Sequence, residues 1–173
     1  MVSFDLHDLS AIVGKRLVYT YENGFICEIY IRNESEMDYR VHKGLVGGLW
    51  EIGQNIYMVR VGADVYKLSW LEPKGTDVSI IVNLEQKFVH GTIWYPRWVV
   101  NNPEKVICLQ RDFIPQMEAL RDAGPAYPTK LIDEFATLTF MSDCGKNNDE
   151  VINCPPGELP SNFPNNLSEK NLL

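Results

Sequence analysis

Residues 16–22 read RLVYTYE, and with residues 37–42 (MDYRVH) and 66–72 (YKLSWLE) they decide the fold. Successive side chains of a strand point to opposite faces, so Leu17, Tyr19 and Tyr21 share one face, and Leu68, Trp70 and Glu72 share another. Their apolar companions mark these faces as inward, and Tyr39 is read the same way. A carboxyl group among phenols inside an apolar shell is costly to bury without a use. A binding or catalytic cavity is therefore expected where Tyr19, Tyr21, Tyr39 and Glu72 meet.

Outward from these stretches, short β runs alternate with turn chemistry from Lys15 to about Val100. The breaks include Glu22-Asn23-Gly24, Gly47-Gly48, Gly53-Gln54-Asn55, Gly62-Ala63-Asp64 and Pro73-Lys74-Gly75. Turn signals about 8–12 residues apart predict an antiparallel meander that closes into a barrel or folds into a sandwich. Closure is the more attractive outcome because it removes exposed sheet edges. Residues 105–110 and 136–142 read as further strands, and residues 8–13 as one helical turn. Residues 112–123 read as a helix, with Phe113, Met117 and Leu120 on the face that caps one end of the barrel. A single domain is expected over residues 1–173, with a polar lead-in at 1–12 and an irregular tail, rich in Asn and Pro, at 145–173. Residues 168–173 read as solvated.

The 173 residues are 45% hydrophobic and 11% aromatic, enough for one domain with a real core. A formal net charge of −7 argues against nucleic-acid or anionic-membrane partners. No stretch approaches the roughly 18 apolar residues of a membrane-spanning helix. MVSFDLHDLS lacks the features of a signal peptide, so a cytoplasmic location is expected. Cys27, Cys108, Cys144 and Cys154 have no paired spacing and are read as free thiols, not as metal ligands. His42 is read as outward and His90 as a packed or surface residue. Trp50, Trp70, Trp94 and Trp98 are read as core or interface aromatics.

The chain resembles the phenolic acid decarboxylases, also called ferulic or p-coumaric acid decarboxylases. The resemblance runs collinearly over about residues 10–167, through residues 18–24 (VYTYENG), 28–33 (EIYIRN), 38–42 (DYRVH), 65–69 (VYKLS), Glu72-Pro73 and 75–79 (GTDVS), then His90-Gly91, 122–128 (DAGPAYP) and 133–137 (DEFAT). It implies a lipocalin-like, all-β antiparallel barrel with a few short peripheral helices, usually a homodimer, needing no metal or organic cofactor. It also implies loss of CO2 from 4-hydroxycinnamic acids to give 4-vinylphenols. Proton loss from the para-hydroxyl and proton gain by the alkene would give a quinone methide, into which the bond electrons flow as CO2 leaves. On the resemblance, Glu72 is the proton donor, Tyr19 and Tyr21 orient the carboxylate, and Tyr39 and Glu134 line the pocket or its entrance.

Three expected cavity positions depart from the family. It usually has Trp where this chain has Phe25, Tyr where it has Cys27, and Arg where it has Leu49. Losing the Arg removes a charge-assisted hydrogen bond worth about 1.5–3 kcal/mol. Burial without that Arg is expected to favour the neutral acid form of Glu72. Arg111 is a candidate replacement cation, although its place at a helix start gives it no geometric support. Trp70 completes the expected binding set. Three readings follow: a decarboxylase of hydroxycinnamic or related acids, the same scaffold turned to a neighbouring quinone-methide reaction (isomerisation, dehydration, hydration or cyclisation), and a non-catalytic barrel that binds an aromatic or apolar small molecule.

Overall fold

Strands β1 (Lys15–Tyr21), β2 (Ile26–Ile31), β3 (Glu36–Lys43) and β4 (Trp50–Asn55) form one antiparallel meander. A second comprises β5 (Tyr57–Gly62), β6 (Val65–Leu71), β7 (Asp77–Asn83) and β8 (Phe88–Tyr95). The last strand, β9 (Lys130–Asp143), lies between β1 and β8, so the sheet order is β4-β3-β2-β1-β9-β8-β7-β6-β5. These elements come from a computed structural model that describes residues 3–163. The ends of the expected lead-in and tail, and the solvated segment 168–173, lie outside the described residues.

β9 needs its 14 residues because it serves two partners. It pairs with β8 from Lys130 to Thr137, and with β1 from Ala136 to Asp143. The expected strand at 136–142 is thus only its second half. The first half mixes outward Leu131 and Phe135 with inward Glu134, which blurs the alternation that would have revealed it.

The two edge strands, β4 and β5, are consecutive in the chain and separated by Ile56 alone. A sheet whose opposite edges are joined by one residue must curl until they meet. The result is an antiparallel β-barrel fold, a curled nine-stranded half-barrel. Among the described residues no ladder pairs β4 with β5, so the expected closure is made by chain continuity and side chains. Gln54 Nε2, for example, donates to the Leu71 carbonyl across the seam at 3.1 Å.

Inside, alternation holds as read. Leu17, Tyr19 and Tyr21 are buried on one face of β1, and Tyr66, Leu68 and Trp70 on one face of β6. The outer face of β2 and β3 is also covered. Residues 144–163 lie against it, with Val151 and Ile152 packed on Tyr30 and the Tyr30 hydroxyl donating to the Gly145 carbonyl at 2.5 Å. Beneath this cover, buried Glu28 accepts from Arg16 at 2.7 Å and Arg40 at 3.1 Å, and lies 2.8 Å from His42 Nε2.

The β8–β9 connection holds α1 (Arg97–Asn101) and α2 (Ile114–Ala123), with 3-10 turns at Pro103–Val106 and Gln110–Phe113 between them. The strand expected at 105–110 does not form. Its apolar residues, Val106 and Ile107, point to opposite sides, but the first lies in a 3-10 turn, and only Leu109 makes an isolated bridge, to Trp50. The helix starts two residues later than expected. Met117 packs into the core, but Phe113 sits before the helix and is 44% exposed.

Candidate active site

One cavity in the barrel is walled by Tyr19 and Tyr21 of β1, Tyr39 of β3 and Trp70 of β6, with Glu72 just beyond β6. Phe25, Cys27 and Leu49 also line it, as expected. Its free volume of about 50 Å3 is several times the roughly 10–15 Å3 that one water requires. Of the expected site residues, Glu134 alone is not part of the wall. Its Oε2 accepts from the Asn23 backbone at 3.0 Å and so holds the β1–β2 turn at the rim.

The Glu72 carboxylate accepts three hydrogen bonds. Tyr39 Oη donates to its Oε1 at 2.9 Å and Trp70 Nε1 donates to the same oxygen at 3.1 Å, while Lys74 Nζ donates to Oε2. The expectation that Glu72 lacks a cationic neighbour is therefore corrected. Three donors on a carboxylate favour its ionised form and oppose the effect of burial. In the sequence Pro73-Lys74-Gly75 reads as a turn, which assigns Lys74 to neither face. In the fold the turn is tucked inward: Trp98 Nε1 donates to the Lys74 carbonyl at 3.0 Å, and Lys74 is 0% exposed. Burial pushes its ammonium down to about 7.

Gln110, also fully buried, completes the arrangement. Its Oε1 accepts from Lys74 Nζ at 3.1 Å, and its Nε2 donates to Tyr39 Oη at 2.5 Å. Glu72, Tyr39, Gln110 and Lys74 thus form a closed ring of hydrogen bonds. Arg111 contributes no cation to the cavity. Its backbone N–H donates to Glu51 at 3.2 Å, and the residue lines a separate cleft along the β4–β5 seam.

The phenols are placed as donors. Burial raises Tyr19, Tyr21 and Tyr39 well above the ordinary phenol range, so they keep their protons at neutral pH. The rings of Tyr19 and Tyr21 meet edge to face at 5.6 Å. Tyr95 and Thr76 also line the cavity and were not expected there. Tyr95 follows Ile93 by two residues on the inward face of β8, and this alternation could have found it. The Thr76 hydroxyl is buried without a hydrogen-bond partner among the described residues and lies just beyond the inward turn. Cys27 is pushed up to about 12 by burial, which makes it a poor nucleophile or base. No group of three or more His, Cys, Asp and Glu side chains suited to a metal occurs among the described residues.

The sequence model of the family described as "Phenolic acid decarboxylase (PAD)" matches residues 9–166. The chain belongs to the phenolic acid decarboxylase family. Among curated relatives, the "Probable phenolic acid decarboxylase" of Vibrio cholerae is 53% identical over 170 residues, covering 98% of each chain. "Phenolic acid decarboxylase PadC" of Bacillus subtilis is 43% identical, covering 84% of this chain and 91% of its own. A solved structure titled "putative beta-lactamase from Burkholderia vietnamiensis" matches at a TM-score of 0.50 and 14% identity, covering 76% of this chain and 93% of its own. That likeness concerns the fold alone. Membership makes the chain one of a family of carboxy-lyases.

Proposed function

We propose that the protein is a cofactor-free decarboxylase of 4-hydroxycinnamic acids, with Glu72 as the proton donor to the alkene. The observation that carries this reading is the convergence of Tyr19, Tyr21, Tyr39 and Glu72 on one apolar cavity in a chain of this family. Tyr19 and Tyr21 orient the substrate carboxylate with neutral hydroxyls, and Trp70 and Tyr39 hold the Glu72 carboxyl in place. Protonation of the alkene carbon and release of the para-hydroxyl proton to water give a quinone methide. The electron pair of the bond to the carboxylate then forms the vinyl double bond and restores the aromatic ring as CO2 leaves, and the phenolate takes a proton back from water. The apolar wall withholds water from the carboxylate, which favours its departure as a neutral gas.

A second reading, a related reaction through the same kind of intermediate, is favoured by one observation. Leu49, Cys27 and Phe25 make an apolar stretch of wall where a carboxylate gains no ion pair. We place the working enzyme in the cytoplasm as a homodimer. The outer face of β5–β9 supports the dimer, because Val61, Leu71, Trp94, Leu131 and Phe135 are exposed there.

An ultraviolet assay with p-coumaric and ferulic acids, with chromatographic detection of the vinylphenols, tests the main reading. Turnover is expected, with a loss of roughly 100- to 10,000-fold in Glu72→Gln. Absence of vinylphenol from the unaltered protein would sink the main reading and favour the second. Ligand binding and catalysis that are both indifferent to Glu72→Gln would favour a binding protein.

A further inference from the structure

We infer that Lys74 is a positioning residue that holds the acid's proton, so that Glu72 and Lys74 work as one proton-sharing pair. The inference rests on the reading of Glu72 as proton donor and adds to it the group that sets its protonation state. Lys74 Nζ touches Glu72 Oε2 and Gln110 Oε1, and Gln110 is tied to Tyr39, which donates to the other Glu72 oxygen. Neither Lys74 nor Gln110 has any exposed surface, so the Lys74 amine meets the cavity only through Glu72 and Gln110. A buried lysine whose ammonium is pushed down to about 7 can give up a proton under ordinary conditions, which an exposed lysine does not do.

The step balances. In the resting pair Glu72 is a carboxylate and Lys74 an ammonium. A proton moves from Nζ to Oε2, leaving a carboxylic acid and a neutral amine. The acid gives that proton to the alkene carbon, whose π electrons form the new C–H bond. Carboxylate and amine remain, and one proton from water restores the ammonium after the products leave. Other groups around Lys74 act on it from several elements. Glu51 of β4 and Cys108 of the β8–β9 connection favour its charged form. Trp98 of α1 holds its carbonyl, and Arg121 of α2 reaches the neighbouring Pro73 carbonyl at 3.5 Å. Tyr39 of β3 acts through Gln110.

The test uses the full chain in two ways. The first compares pH profiles of kcat on p-coumaric acid for the unaltered protein, Lys74→Met and Lys74→Arg. A shared pair predicts an alkaline limb that moves to lower pH by about one unit or more in Lys74→Met, because only a carboxyl then holds the proton. Lys74→Arg should not restore the limb, since a guanidinium keeps its charge but does not release its proton. Superimposable profiles, or full rescue by Arg, would overturn the inference. The second follows the 15N signal of the buried lysine in the unaltered protein and in Glu72→Gln, so it does not depend on the Lys74 variants folding. The midpoint should fall in Glu72→Gln, where the anion that favours the ammonium is gone. An unmoved midpoint would overturn the pair even if Glu72→Gln abolishes decarboxylation. A coupled midpoint in a protein that does not turn over p-coumarate would support the pair and sink the decarboxylase reading instead.

Discussion

Gly91 of β8 carries no side chain because Tyr21 occupies the place where one would be: a Cβ there would lie 2.0 Å from the Tyr21 hydroxyl. Gly91→Ala should therefore turn the phenol away from the cavity. We expect kcat/KM on p-coumaric acid to fall roughly 100-fold while the fold persists, checked by steady-state kinetics beside a thermal melt. Thr76 makes the opposite kind of prediction. Its buried hydroxyl has no partner among the described residues, so Thr76→Val should leave the melting temperature unchanged or higher. If that hydroxyl serves the substrate, KM should rise about 5- to 10-fold, roughly the worth of one hydrogen bond. An unchanged KM would remove Thr76 from the binding set. Tyr19, Tyr21, Tyr39 and Trp70 were legible because each stands on a strand, where period two assigns a face from sequence alone, and Glu72 continues the face of Trp70 one residue past the end of β6. Lys74 and Thr76 were not, because a turn has no such period, and Gln110 was not, because residues 105–110 read as a strand whereas Gln110 opens a 3-10 turn. Glu134 shares the correct face but sits too near the end of the barrel to reach the cavity.

The layer behind β1, β2 and β3 shows what an element owes to a single charge. Glu28 is fully buried, and burial alone would raise its carboxyl. His42, Arg16 and Arg40 together outweigh that effect and hold it below the ordinary carboxylate range. Glu28→Gln would leave the buried Arg40 guanidinium without its counter-charge. The expected cost is about 3 kcal/mol, read from urea unfolding, with little change in the kinetics of any protein that remains folded. A cost below about 1 kcal/mol would mean that the carbonyls of Cys154 and Val151, which also accept from Arg40, suffice for its charge. The strands of this layer followed from alternation, but their cover did not, because residues 144–163 dock through Val151, Ile152 and backbone bonds and have no period to read. Residues 105–110 fail as a strand for a related reason. The Trp50 backbone N–H is satisfied by the Cys108 carbonyl alone, and the segment then turns to carry Gln110 inward.

At the scale of the molecule, the cavity spans the two ends of one sheet. Tyr39 stands on β3, beside one edge, and Glu72 follows β6, beside the other, so the ring through Lys74 and Gln110 forms only when the sheet is curled. Global unfolding must therefore release Lys74 and Glu28 together, and the pH dependence of stability should carry both signatures. Glu28 has its folded-state pKa lowered, so its contribution is present above the unfolded value near 4.3 and is lost as pH falls through the folded value. Lys74 works in the other window. Between about 7 and the unfolded lysine value near 10.4, the unfolded chain binds the proton that the folded chain tends to release. Stability should consequently rise as pH climbs from about 7 toward about 8.5, above which the unfolded chain releases the Cys27 thiol proton that the folded chain keeps. Urea unfolding across that range, on the unaltered protein and on Lys74→Met, checks the prediction. The rise should flatten in the variant, and an equal rise in both would assign it to another group and leave the ring without a part in the stability of the curled sheet.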